Sequence, residues 1–311
     1  MSGTLTERRP SENGTIVGRS GKASGAWREW SRPERLRIVG LFGYAALVTL
    51  LFIKPLVALF AYAAQSDLHS HIPLIPLITG YLLYTRSGPP APAYRTSPGG
   101  ALVAAGIGSV AVATAIRLDG RISPNDYLAL MTFGFLSVIV AGWFLFLGSR
   151  WMAYAVFPIL FLIFMIPLPD EVAMWLETAS VQASADVAAF LFRITGTPLL
   201  RDGTVFALPG IVIQVARECS GIHSSWVLFI TSVLASHLFL RTRWRRFGLV
   251  AFTIPLAVLR NGFRILVIGL LCVHVGPRMI DSAIHRHGGP FFFALSLIPL
   301  FLLMSWLRSG E

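Results

Sequence analysis

Charge is scarce in this chain. Only 13% of its 311 residues are Asp, Glu, Lys or Arg, where soluble domains carry about a quarter. With 55% hydrophobic residues and a mean hydropathy of +0.68, this excludes an ordinary soluble domain and indicates a polytopic membrane protein. Cysteine is scarcer still: Cys219 and Cys272 alone cannot build a disulfide scaffold or a CxxC-type zinc site. Acidic residues are outnumbered 15 to 26 by Lys and Arg, for a formal charge of +11. The basic residues lie in short loops between apolar runs, so they read as topology signals and no nucleic-acid partner is expected. A cleavable signal pattern is also missing. Residues 1–37 hold eight basic and four acidic side chains and no apolar core before Ile38. They read as a disordered basic cytoplasmic tail, followed by a single integral-membrane domain over 38–311. No repeat of 20–50 residues and no low-complexity tract occurs.

What is present is a series of apolar runs. The expected spans are 38–64, 71–85, 100–117, 127–148, 151–167, 221–240, 247–274 and 289–307. The expected fold is therefore all-α, with about eight transmembrane helices and both termini cytoplasmic. Arg241, Arg243, Arg245 and Arg246 form the strongest basic loop and place it inside. The helix over 221–240 then enters from outside. Residues 168–220 stay outside, with 172–194 as an interfacial or partly inserted helix. A short hairpin is expected over 204–216, turning at Pro209-Gly210.

This topology sorts the reactive residues. Cys272 sits in an apolar run and reads as a packing cysteine. Cys219 lies between Glu218 and Ser220 at the outer start of a helix, where free N–H groups and the helix dipole favour a thiolate. Gly221 lets another backbone approach closely. Arg260 and Arg264 are costly within a span and share one helix face. Asn261-Gly262 between them weakens that helix. An arginine there can hold charge developing on a carbonyl oxygen, or pair with a carboxylate or a lipid headgroup. His285 and His287 lie in an outer loop, either as solvated side chains or as a proton carrier for a thiol. They are too few to hold zinc, and neither a metal nor a cofactor is expected. His223 faces the same side of its helix as Cys219. His69 and His71 stand at the outer edge of the second span, where they can line an outer cavity. Lys54, before Pro55, reads as structural. Nucleophile, oxyanion stabiliser and proton carrier thus meet on one side of the membrane, as acyl transfer requires.

The chain resembles the exosortase/archaeosortase family of membrane cysteine transpeptidases over roughly 38–307. The resemblance rests on Glu218-Cys219-Ser220-Gly221-Ile222, on Asn261-Gly262-Phe263-Arg264-Ile265, and on His285 followed by Gly289 and Phe291–Phe293. Weaker agreement lies in 71–77 and 166–169. It implies Cys219 as nucleophile, Arg264 as the arginine and His285 as the histidine. Glu218, Gly221, His223, Arg260, Asn261 and His287 would support them. It also implies membrane-tethered protein substrates whose C-terminal signal is a short motif, a hydrophobic helix and a basic tail. Such a substrate is cut near the motif and transferred to a cell-envelope acceptor. His223 stands where the family often has an arginine. The rival readings are a transporter or flippase, with Arg260 and Arg264 binding an anionic substrate at mid-membrane beside a broken helix, and a non-catalytic subunit of polysaccharide export. The sequence leaves the motif, the acceptor and the oligomeric state open.

Overall fold

Proline causes the first departure from a simple row of spans. In the computed structural model, which describes residues 32–85, 95–215, 221–276, 278–279 and 289–310, the stretch 38–64 forms two helices. They are α1 (Arg32–Leu51) and α2 (Ile53–Gln65), bent by 72°. Pro55 lacks an N–H, and its ring excludes a helical carbonyl four residues back, at Leu51, where α1 stops. At its other end α1 reaches Arg32, six residues into the stretch read as tail, with Pro33 in the first turn where proline is favoured. Residues 71–85 shrink to α3 (Leu74–Tyr84). That helix is about 16 Å long, too short to cross a ~30 Å hydrocarbon core alone.

The spans expected at 100–117 and 127–148 are α4 (Pro98–Leu118) and α5 (Pro124–Phe146). They form a hairpin in which Gly108 meets Gly134; a Cβ on Gly108 would lie 3.0 Å from the Gly134 carbonyl oxygen. Small residues of this kind let helices associate in lipid, where apolar burial gives little drive. The run 151–167 is again broken. It comprises α6 (Ser149–Tyr154), α7 (Val156–Phe161) and a 3-10 turn at Leu162–Met165. Pro158 opposes a helical carbonyl at Tyr154, the last residue of α6.

Next comes α8 (Asp170–Ile194), a helix of 25 residues that leaves α7 and the 3-10 turn at 87°. Its start is pinned to the start of α5. Asp126 Oδ1 accepts the Asp170 N–H at 2.9 Å, while Asn125 Nδ2 donates to the Leu168 carbonyl at 2.6 Å and to Asp170 Oδ1 at 2.8 Å. After α8 the chain forms a three-stranded antiparallel sheet: β1 (Leu200–Asp202), β2 (Val205–Leu208) and β3 (Ile211–Gln214). The hairpin turns at Pro209-Gly210 as expected, Gly210 having φ +80°. The additional strand β1 pairs with β2 across Gly203, φ +57°.

Three long helices follow: α9 (Ile222–Phe239), α10 (Arg243–His274) and α11 (Gly289–Ser309). At 32 residues, α10 is about 48 Å long and outreaches a ~30 Å hydrocarbon core. Its C-terminal half is covered by protein. Ala185, Ala188 and Phe192 of α8, Phe206, Leu208 and Ile213 of the sheet, and Ile265, Ile268 and Cys272 of α10 share one core. Cys272 is 2% exposed, a packing residue as its neighbours indicated. The chain is thus an all-α multi-pass membrane protein with a small sheet appended. Among the described residues, α4, α5, α9, α10 and α11 are each long and apolar enough to span. The two bent pairs raise the count to seven rather than eight.

The α8–α10 contact is tight enough to test. A Cβ on Gly262 would lie 2.6 Å from Val187 Cγ1 and 3.2 Å from the Ala188 nitrogen, whereas Gly248 on the same helix meets nothing within 4 Å. Gly262→Ala is expected to cost roughly 1–3 kcal/mol through overpacking. Gly248→Ala is expected to be neutral or stabilising, since alanine favours the helix. Thermal unfolding of the detergent-solubilised variants measures both.

Candidate active site

Gly221 is the pivot of the site. It is the N-cap of α9 and adopts φ +66°, a left-handed conformation that glycine takes without strain. A second constraint acts on it: a Cβ there would lie 3.0 Å from Asn261 Oδ1 and 3.2 Å from Arg260 Nη2. Within the chain, the groups that approach Gly221 closely are a pair of side chains from α10.

Arg260 ties the two helices together. Its Nη2 donates to the Gly221 carbonyl at 3.1 Å and to Ser225 Oγ at 2.9 Å. Ser225 Oγ in turn donates to the same carbonyl at 2.8 Å. The arrangement follows from antiparallel packing, because Ile222 and Arg260 lie equally many residues from the α9–α10 turn. Arg260 is thus level with the beginning of α9, although it lies near the middle of the longer α10. Both Arg260 and Asn261 are buried, at 7% and 2% exposure. Among the described residues, Arg260 Nη1 and Asn261 Nδ2 have no hydrogen-bond partner. Asn261-Gly262 does not weaken the helix as expected: α10 is continuous from Arg243 to His274, and Gly262 serves the contact with α8.

Arg264 lies one turn further along α10, half-buried, and the two guanidinium charges act on each other. No Asp or Glu occurs between Cys219 and Ile280, so this stretch supplies its arginines with dipoles rather than carboxylates. Phe263, beside Arg264, packs edge-on against Phe292 in the first turn of α11, with ring centroids 6.3 Å apart. The start of α11 therefore borders the arginines.

The turn at 66–73 completes the surroundings. Asp67 and Arg260 both act electrostatically on His223 in the first turn of α9, and His223 acts on His71. Sequence reasoning singled out His69, His71 and His223 but missed Asp67 and Ser225. Ser225, a polar residue four places after Gly221 in an apolar helix, was the available signal. Glu218, Cys219, His285 and His287 lie outside the described residues.

His69 and His71 are buried, with 4% and 8% exposure. Ser66 Oγ and His69 Nδ1 are 2.9 Å apart, and the ring of Tyr62 lies 5.4 Å from that of His69. Burial, reinforced by the charge of His71 and opposed by Asp170, lowers His69 to about 4. Burial also lowers His71, against main-chain hydrogen bonds at Phe164 and Leu68. The His69 ring therefore stays uncharged down to about pH 4 in the folded protein, while in the unfolded chain it binds a proton near pH 6.5. Its contribution to stability is full above about pH 6.5 and is lost as pH falls toward about 4, and the lowering of His71 acts in the same direction. The melting temperature should fall across that window, and less steeply in His69→Gln; thermal scans from pH 7 to 4 check this.

Comparison with curated proteins and with solved structures returns no match. A family model described as transmembrane exosortase matches residues 61–302, most of the chain. That range contains Gly221, Arg260, Asn261 and Arg264 as well as the Cys219 and His285 segments, and the chain belongs to the transmembrane exosortase family.

Proposed function

We propose that the protein is a membrane-embedded cysteine transpeptidase that cuts the C-terminal sorting signal of exported proteins at the outer face of the inner (plasma) membrane. The observation that carries this reading is the Gly221 turn. It is fixed by Arg260 and Asn261, with Arg264 one turn beyond. Covalent geometry alone keeps the Cα of Cys219 within about 7 Å of that of Gly221. Likewise His285 lies within about 14 Å of Gly289, in the turn whose Phe292 packs against Phe263, the residue before Arg264.

The chemistry then runs in two halves. The Cys219 thiolate attacks the scissile carbonyl carbon, forming a C–S bond and an oxyanion. Arg264, one turn beyond Arg260 on the same helix, steadies that oxyanion. Collapse breaks the C–N bond. His285 gives the leaving amine its proton, and a thioester to Cys219 remains. An amine of the cell-envelope acceptor attacks the thioester, His285 takes up its proton, and the C–S bond breaks to restore the thiolate. Water in place of the amine gives hydrolysis.

The sorting signal suits this placement. Its hydrophobic helix lies in the bilayer beside the spans. Its basic tail stays on the side of the Arg241–Arg246 turn, which the positive-inside rule makes cytoplasmic. The cut then falls at the opposite, outer boundary, where α9 begins.

Two measurements test the reading. Co-expressed substrate ending in motif, apolar helix and basic tail should be processed by the wild type and by Cys272→Ser. Cys219→Ala should lose at least about 10³-fold. Processing that survives Cys219→Ala would end the proposal. Arg264→Gln should lower the rate by about 10²–10³-fold, as removal of one oxyanion donor does elsewhere, with an unchanged melting temperature. Arg260→Gln should lower the melting temperature as well, since it releases α9 from α10. Equal effects of both substitutions on stability would remove the separate role of Arg264.

A further inference from the structure

Far from the Gly221 turn, the opposite ends of α9, α10 and α11 enclose a cavity of about 360 Å³. Its lining contains Arg241, Arg246, Arg308 and His237, together with Phe239 and Leu240, and no carboxylate among the described residues. The walls are held by hydrogen bonds. Arg246 Nε donates to the Leu240 carbonyl at 2.8 Å, and Arg245 joins α10 to the end of α11 through the Leu307 and Gly310 carbonyls at 2.7 and 2.8 Å. Arg308 stands over the Phe239 ring, 6.0 Å from its centroid. The terminal nitrogens of Arg246 have no hydrogen-bond partner among the described residues.

The local field favours an anion. The C-termini of α9 and α11 each contribute about half a negative charge, and the N-terminus of α10 about half a positive one. Three guanidinium groups outweigh that balance. The level of the cavity indicates which anion. Trp244 and Trp306, 81% and 71% exposed, flank it on α10 and α11, and exposed tryptophans at helix ends mark the depth of lipid headgroups. Phe247, beside Trp244, is 66% exposed and apolar, a surface for acyl chains rather than for water. We propose that this cavity binds a phosphate group, supplied by the headgroup of an anionic phospholipid. The lipid would clasp the three helix ends and brace the α9–α10 pair whose other end carries the candidate active site.

Native mass spectrometry of the purified full-length protein tests the proposal, with phosphatidylglycerol, phosphatidylcholine and inorganic phosphate as probes. Phosphatidylglycerol should be retained in preference to phosphatidylcholine and should raise the melting temperature. Paired Arg241→Gln and Arg308→Gln substitutions should weaken its retention roughly 10- to 30-fold, at about the cost of two cations near a headgroup. Arg243→Gln, exposed on the same turn but outside the cavity, should leave retention unchanged, as should Cys219→Ala. An equal loss with Arg243→Gln would show diffuse surface charge and overturn the site. An equal melting-temperature rise with inorganic phosphate would overturn the lipid assignment. If the paired variant does not fold, equal retention of the two lipids by the wild type is sufficient to reject the proposal.

Discussion

A guanidinium lodged between helices near the edge of a membrane must find acceptors or remain a desolvated charge, which costs several kcal/mol. Arg260 finds them in the turn that opens α9. The Gly221 carbonyl receives the Arg260 Nη2 proton and also the Ser225 backbone N–H and hydroxyl. One oxygen thereby links the first turn of α9 to the middle of α10. This explains why position 221 has no side chain: the left-handed φ and the approach of Arg260 and Asn261 both forbid one.

The outer packing makes such an arrangement tolerable. Beyond Arg260, α10 lies in a protein core, with α8 and the sheet covering it. Polar residues on this half do not face lipid, so the expense that normally excludes arginine from spans is reduced. Glycine permits the close contact: Gly262 accepts Val187 and Ala188, and Gly269 accepts Phe192. The sharp turn of α8 away from the bundle depends on Asp126, which caps its N-terminus by accepting the Asp170 N–H, and on Asn125, which donates to the Asp170 carboxylate. A carboxylate at a helix start is favoured by the dipole as well as by the hydrogen bond.

Much of this was legible in the chain. The long apolar helices followed from hydropathy, and the β-hairpin from Pro209-Gly210 between β-branched runs. Counting basic loops oriented α9 and α10, but the closing of Arg260 and Asn261 on Gly221 was not foreseen. The breaks were less visible, although Pro55 and Pro158 stood in plain sight, because a proline inside an apolar run either kinks a span or divides it. Which outcome prevails depends on packing. The direction of α8 was hidden for another reason. Its pinning bonds join Asp126 to Asp170 across 44 residues, and no local pattern encodes that pairing. Ser225 was overlooked because a serine in a span commonly bonds its own helix, as this one does while also receiving Arg260.

The depth of the arginines bears on what kind of chemistry the site can perform. A carrier that binds its anion at the midplane uses an unwound helix to expose backbone groups there. Here α10 runs unbroken through Asn261-Gly262, and the glycine is used for packing. Arg260 is level with the first residue of α9 and Arg264 stands beyond it, so the positive charge is concentrated at a boundary and not at the midpoint. Charge at a boundary serves a reaction that develops a negative oxygen next to a helix N-terminus, where N–H groups and guanidinium reinforce each other. Under the proposed function, a substrate's apolar helix would stay in lipid and only the short segment that emerges would be recognised, so that the membrane would supply binding energy and the protein orientation and charge.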